Sequence, residues 1–129
     1  MARVLVVEDD PDIRQLVELR LRGLGHRVVA AASGPEAFAV IAERGAPEVV
    51  VLDVAMPGMT GLEVLRALRA QPEHAHLPAI FLSARVRPED IAAGEELGAT
   101  YLTKPFVVSA LAKAIEKALA TTAEAVGSW

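Results

Sequence analysis

The sequence predicts an α/β fold in which five parallel strands form a doubly wound sheet, with helices on both faces. Two observations carry this expectation. Short β-branched runs alternate along the chain with longer segments whose apolar residues recur at helical spacing. Hydrophobic residues make up 53% of the 129 positions but aromatics only 4%, so the core must be assembled from Val, Leu, Ile and Ala. A chain of this length can bury roughly two-thirds of its unfolded surface in one core. The expected organisation is one domain over residues 1–121, followed by a flexible tail over 122–129 that carries Trp129.

The first run, Val4 to Val7, ends in Glu8, Asp9 and Asp10. Ile13, Leu16, Val17, Leu21 and Leu24 then mark one face of a helix closed by Gly23 and Gly25. Asp10 precedes Pro11 at the start of that helix, where N-capping is its ordinary role. Arg27 to Ala32 reads as the second strand, and Ser33 with Glu36 forms a capping box for a helix running to about Arg44. Val49 to Leu52 is apolar throughout, as a strand covered on both faces must be, and it ends at Asp53.

A turn over Met56 to Met59 leads to Thr60 and Glu63, which cap a third helix through Leu62, Leu65 and Leu68 until Pro72 stops it. Ala79 to Leu82 is the fourth strand and ends at Ser83. Pro88 to Leu97 predicts a fourth helix weakened by Gly94, and Thr100 to Leu102 a short fifth strand ending at Lys104 and Pro105. The last helix, about Val107 to Thr121, places Leu111, Ile115 and Leu119 on one face.

Several function classes drop out on composition. The absence of cysteine excludes disulfides and thiolate metal sites. No apolar run is long enough for a transmembrane helix, and the lack of a secretory signal points to the cytosol. The net charge of −4, with both signs mixed along the chain, argues against nucleic-acid binding through a basic stripe. His74 and His76 flank Ala75 with no third ligand near and read as a solvated loop. Gly23-Leu24-Gly25 follows a helix, where a dinucleotide fingerprint must follow a strand.

The residues suited to chemistry share a different property. Glu8, Asp9, Asp53, Ser83 and Lys104 are scattered in sequence, yet each lies at the carboxyl end of an expected strand. In a parallel sheet those ends share one edge, and ligands bind where the strand order reverses. With the order 2-1-3-4-5, Glu8 and Asp9 fall beside Asp53. Three carboxylates in one crevice repel one another unless a cation is present. Oxygen-only ligands point to Mg²⁺, with Mn²⁺ able to substitute. A carboxylate is also a nucleophile toward phosphorus, and the Lys104 ammonium and Ser83 hydroxyl can neutralise a transferring phosphoryl group.

In these motifs the chain resembles the receiver domains of bacterial response regulators. The resemblance runs through "VLVVEDD" (4–10), "VVVLDVAMPGMTGLEVL" (49–65), "IFLSAR" (80–85) and "GATYLTKPF" (98–106), in this order and spacing. It implies the flavodoxin-like receiver fold. Asp53 becomes the phosphoacceptor, Asp9 a direct metal ligand, Glu8 a ligand through water, and the Ala55 backbone carbonyl a further metal contact. Ser83 and Lys104 would contact the phosphoryl group, Ser83 and Tyr101 would form the switch, and the bond to Pro105 would be cis. The implied activity is limited to self-phosphorylation and self-dephosphorylation, with phosphate drawn from a sensor histidine kinase or histidine phosphotransfer protein. The response passes through an α4-β5-α5 surface to a downstream effector, and the unphosphorylated protein is expected to be a monomer.

The chain departs from the family pattern in places. Ala55 stands where a polar residue is frequent, which bears on phosphate lifetime, and Ser83 replaces the commoner Thr. The paired acids before Tyr101 and the Glu-Leu after Phe106 that mark receivers of winged-helix transcription factors are missing, so dimerisation through that face loses support. Two rival readings are a flavin carrier, which the acids after the first strand disfavour, and a receiver-shaped interaction module that never takes phosphate. No effector segment follows the last helix in this sequence, so the output is expected in a partner or in another part of a longer protein.

Overall fold

The computed structural model describes residues 2–83, 88–96, 99–104 and 107–120. Five strands, β1 (Arg3–Val7), β2 (Arg27–Ala31), β3 (Val49–Asp53), β4 (Ala79–Ser83) and β5 (Thr100–Thr103), alternate with α1 (Pro11–Gly23), α2 (Gly34–Arg44), α3 (Gly61–Arg69), α4 (Pro88–Glu96) and α5 (Val108–Leu119). All pairings are parallel and the order is β2-β1-β3-β4-β5. The reversal between β1 and β3 is the one expected from the sequence.

Alternation along the strands builds two cores. Leu5, Val7, Val50, Leu52 and Phe81 face Ala37 and Ile41 of α2 and Leu62, Val64, Leu65 and Leu68 of α3. Their neighbours Val4, Val6, Val49, Val51, Ile80 and Leu82 face Val17 and Leu21 of α1 and Leu111, Ala114 and Ile115 of α5. A strand with both faces covered carries apolar residues at every position, which accounts for the unbroken run into Asp53.

The helix starts follow their local chemistry. Asp10 Oδ1 accepts from the amides of Asp12 (2.9 Å) and Ile13 (3.2 Å), so it caps α1. Thr60 and Glu63 complete a reciprocal box, with bonds of 3.1 and 3.2 Å. These bonds hold the Glu63 carboxyl below its ordinary pKa. Ser33 caps Glu36, but the Glu36 carboxylate reaches back to the Ala32 amide, one residue earlier than a standard box.

Three readings need correction or limits. Leu16 and Leu24 are each 47% exposed, so α1 buries a narrower stripe than the one drawn through them. Val17 and Leu21, one turn apart, point at the sheet, and Leu16 is rotated away from it. His74 is buried, because the 3-10 turn Pro72–His74 is held by backbone bonds from His74 to Gln71 and from Leu77 to His74; His76 remains exposed. The cis bond expected at Pro105 and the tail over 122–129 lie outside the described residues.

Candidate functional site at the carboxyl edge of the sheet

Register fixes the positions of the site side chains. Val7 pairs with Leu52, so Glu8 emerges beside Asp53. Asp53 pairs with Leu82, Ser83 with Thr103, and Lys104 follows immediately. Glu8 is 3% exposed, Asp53 7% and Ser83 1%, while Asp9 and Lys104 are half-buried. Carboxylate oxygens of Glu8, Asp9 and Asp53 all lie within 4.8 Å of one another.

Lys104 reaches back over this cluster. Its Nζ donates to Glu8 Oε1 at 2.5 Å and stands 3.5 Å from Asp53 Oδ2. Backbone groups complete the acids: the Ala55 amide donates to Asp53 Oδ1 at 3.3 Å, and the Asp10 amide approaches Glu8 Oε2 at 3.4 Å. Ala55 itself is exposed in the loop after β3. Ser83 is tied to Lys104 through the backbone, its carbonyl accepting from the Lys104 amide at 2.8 Å. Tyr101 is half-buried, its ring 5.0 Å from that of Phe81 and tilted by 32°.

Burial pushes the Glu8 carboxyl up to about 7, helped by its hydrogen bond with Asp53 and opposed in part by Lys104. One ammonium therefore does not fully neutralise the crevice. A hard divalent cation fits this donor set, since Mg²⁺ binds through one or two carboxylates and keeps waters for other oxygens. Glu8, Asp9 and Asp53 are the side chains that would hold it.

Two residues that position the site were not singled out from the sequence. Arg14 Nη1 donates to the backbone carbonyls of Glu8 (3.0 Å) and Asp9 (3.4 Å), pinning the acidic loop onto α1. Its place one turn after the Asp10 cap was the available signal. Gly61 is the other: a Cβ there would lie 2.2 Å from the carbonyl oxygen of Asp53. The missing side chain lets the start of α3 rest directly on the end of β3. That close approach has no signature in sequence beyond a glycine following a cap.

The family model of the response regulator receiver domain matches residues 4–116. The chain belongs to that family. As a receiver domain it is 39% identical to the chemotaxis protein CheY4 of Vibrio cholerae, with a TM-score of 0.84 over 92% of this chain and 99% of that one. It is 44% identical over 103 residues to an uncharacterised 14.6 kDa protein of Leptolyngbya boryana, covering 79% of this chain and 78% of the other. It is also 42% identical over 106 residues to the transcriptional regulatory protein AfsQ1 of Streptomyces coelicolor, covering 81% of this chain and 45% of that protein. The receiver thus spans less than half the length of the first transcriptional regulators it matches. Among the described residues no helix is long and apolar enough to cross a membrane.

Proposed function

We propose that this receiver takes a phosphoryl group from a phosphohistidine on a partner kinase or phosphotransfer protein onto a carboxylate oxygen of Asp53. The P–N bond to the imidazole breaks, a P–O bond to Asp53 forms, and the product is an acyl phosphate. The observation supporting this most directly is the gathering of Glu8, Asp9 and Asp53 within 4.8 Å under the Lys104 ammonium. Mg²⁺ bound by the three acids, with the Ala55 carbonyl as a further contact, would supply charge neutralisation for the phosphoryl oxygens.

The protein's own groups do the remainder. Lys104 already stands beside an Asp53 oxygen, and Ser83, at the end of the neighbouring strand, offers a hydroxyl to a second phosphoryl oxygen. Phosphorylation then favours the arrangement in which Ser83 and Tyr101 have moved inward, changing the α4-β5-α5 surface presented to an effector. The location in this reading is the cytoplasm.

The test is incubation with Mg²⁺ and acetyl phosphate, followed by intact-mass measurement. The native protein should gain one phosphoryl group and lose it again on standing, while Asp53→Asn should gain none. Equal uptake by both would place the acceptor elsewhere, and no uptake by either would favour a receiver-shaped module acting by contact alone.

A further inference from the structure

The outward side of α1 carries a pattern that phosphoryl transfer does not use. Leu16 is 47% exposed and Leu19 59%, on a helix that buries Val17 and Leu21 against the sheet. Asp12 and Arg20 lie in one row with Leu16, four residues before and after it, and both are exposed. Neither of these two side chains has an ion-pair partner among the described residues. Half-buried Ile13 and exposed Leu19 stand three residues to either side of Leu16 and complete the stripe. The other charged groups of α1 are committed elsewhere: Arg14 holds the carbonyls of Glu8 and Asp9, and Arg22 holds Glu18 and the Val28 carbonyl.

This order is its own complement when reversed. Turning the helix end for end about Leu16 exchanges Asp12 with Arg20 and Ile13 with Leu19. Two copies laid antiparallel therefore bring Asp12 of each against Arg20 of the other, Ile13 against Leu19, and the two Leu16 side chains together at the centre. A parallel pair would set Asp12 against Asp12 and Arg20 against Arg20. A twofold contact needs a patch that complements itself, whereas a face for an unrelated partner has no need of that symmetry.

We propose that α1 is a self-association face, on which a second copy of this chain docks in antiparallel orientation about a twofold axis at Leu16. Burial of Leu16 and Leu19 from both copies supplies the attraction, and the two Asp12–Arg20 contacts fix the orientation. A helix of 13 residues offers a contact at the low end of specific interfaces, so association is weak and concentration-dependent. It uses none of α4, β5 and α5 and needs no phosphorylation. At high concentration it replaces the monomer expected of the unphosphorylated chain.

Sedimentation equilibrium of the full chain, from micromolar to millimolar concentration, should show a monomer–dimer equilibrium. Asp12→Arg and Arg20→Asp each set like charges against one another twice and should each raise the dissociation constant by about tenfold. The exchange variant Asp12→Arg/Arg20→Asp keeps the net charge of −4 and restores both contacts, so it should associate as the native protein does. Leu16→Gln/Leu19→Gln should abolish the dimer. Thermal unfolding in dilute solution, followed by circular dichroism, checks that each variant folds.

The chain has no cysteine, so one introduced thiol reports the geometry. Under copper–phenanthroline, Leu16→Cys should link to its own copy, because the two positions face each other at the axis. Leu19→Cys is more exposed but lies about 9 Å along the helix axes from its counterpart, and should link far more slowly. A monomer at every concentration would overturn the proposal and leave the face to a different partner. An exchange variant as weak as the single reversals would also overturn it, as would equal cross-linking by Leu16→Cys and Leu19→Cys.

Discussion

Glu8→Gln should make the metal-free protein more stable at neutral pH, although it removes half of a buried ion pair. In the native protein the Glu8 carboxyl is raised from 4.5 to about 7, first by burial and then by the bond with Asp53. A raised carboxyl means that the folded state binds the proton more tightly than the unfolded chain. Its contribution is therefore fully present below pH 4.5 and disappears as pH rises through about 7. Raising the carboxyl from 4.5 to about 7 corresponds to roughly 3 kcal/mol. Solvent at the mouth of the crevice screens the group, so this is an upper bound.

Urea unfolding followed by circular dichroism in EDTA, from pH 4.5 to 8, measures the difference between Glu8→Gln and native protein, in which the other titrating groups largely cancel. That difference should grow in favour of the variant as pH rises, by up to about 3 kcal/mol. Adding Mg²⁺ at pH 8 should then stabilise the native protein, by about 2.7 kcal/mol at a hundredfold excess over the dissociation constant, and stabilise the variant much less. A flat difference, or a native protein that gains relative stability as pH rises without metal, would refute the electrostatic account of the crevice.

Gly61→Ala should cost about 1–3 kcal/mol through overpacking against the Asp53 carbonyl, and should slow the proposed phosphoryl uptake because the end of β3 must shift; uptake and stability both at native level would remove that role. Leu21→Ala should cost about 2–5 kcal/mol, whereas Leu16→Ala, on the exposed side of the same helix, should stay within about 0.5 kcal/mol. Thermal unfolding of the two variants side by side is sufficient, and similar losses would mean that α1 packs differently. Thr60→Ala removes one partner of the reciprocal box and should lower stability by about 1 kcal/mol, measured in the same way.

Most of the fold was legible because its signals are local. Caps at Asp10, Ser33 and Thr60 and the breaker at Pro72 mark helix ends within a few residues of where the structure puts them. The convergence at the carboxyl edge was legible for a different reason: strand ends of a parallel sheet converge whatever lies between them, so five distant polar residues could be brought together from topology alone. What escaped depended on packing at a distance. The stripe through Leu16 and Leu24 failed because helical periodicity gives a direction but not the width of the surface waiting to receive it. The burial of His74 escaped because it comes from the fold of a turn against the core, and the role of Gly61 because a Cβ clash between a helix start and a strand's carbonyl leaves no periodic trace.

The pairing of strands also fixes heights at the carboxyl edge. Glu8 and Asp53 emerge at one level, Ser83 stands one residue higher on β4, and Lys104 follows Thr103, the partner of Ser83, on β5. The ammonium thus descends from an upper tread onto oxygens on the lowest one, and the length of the lysine chain is what closes the gap. A slip of β5 by a single residue would carry the charge about 3.3 Å along the stair and turn it to the opposite face of the sheet.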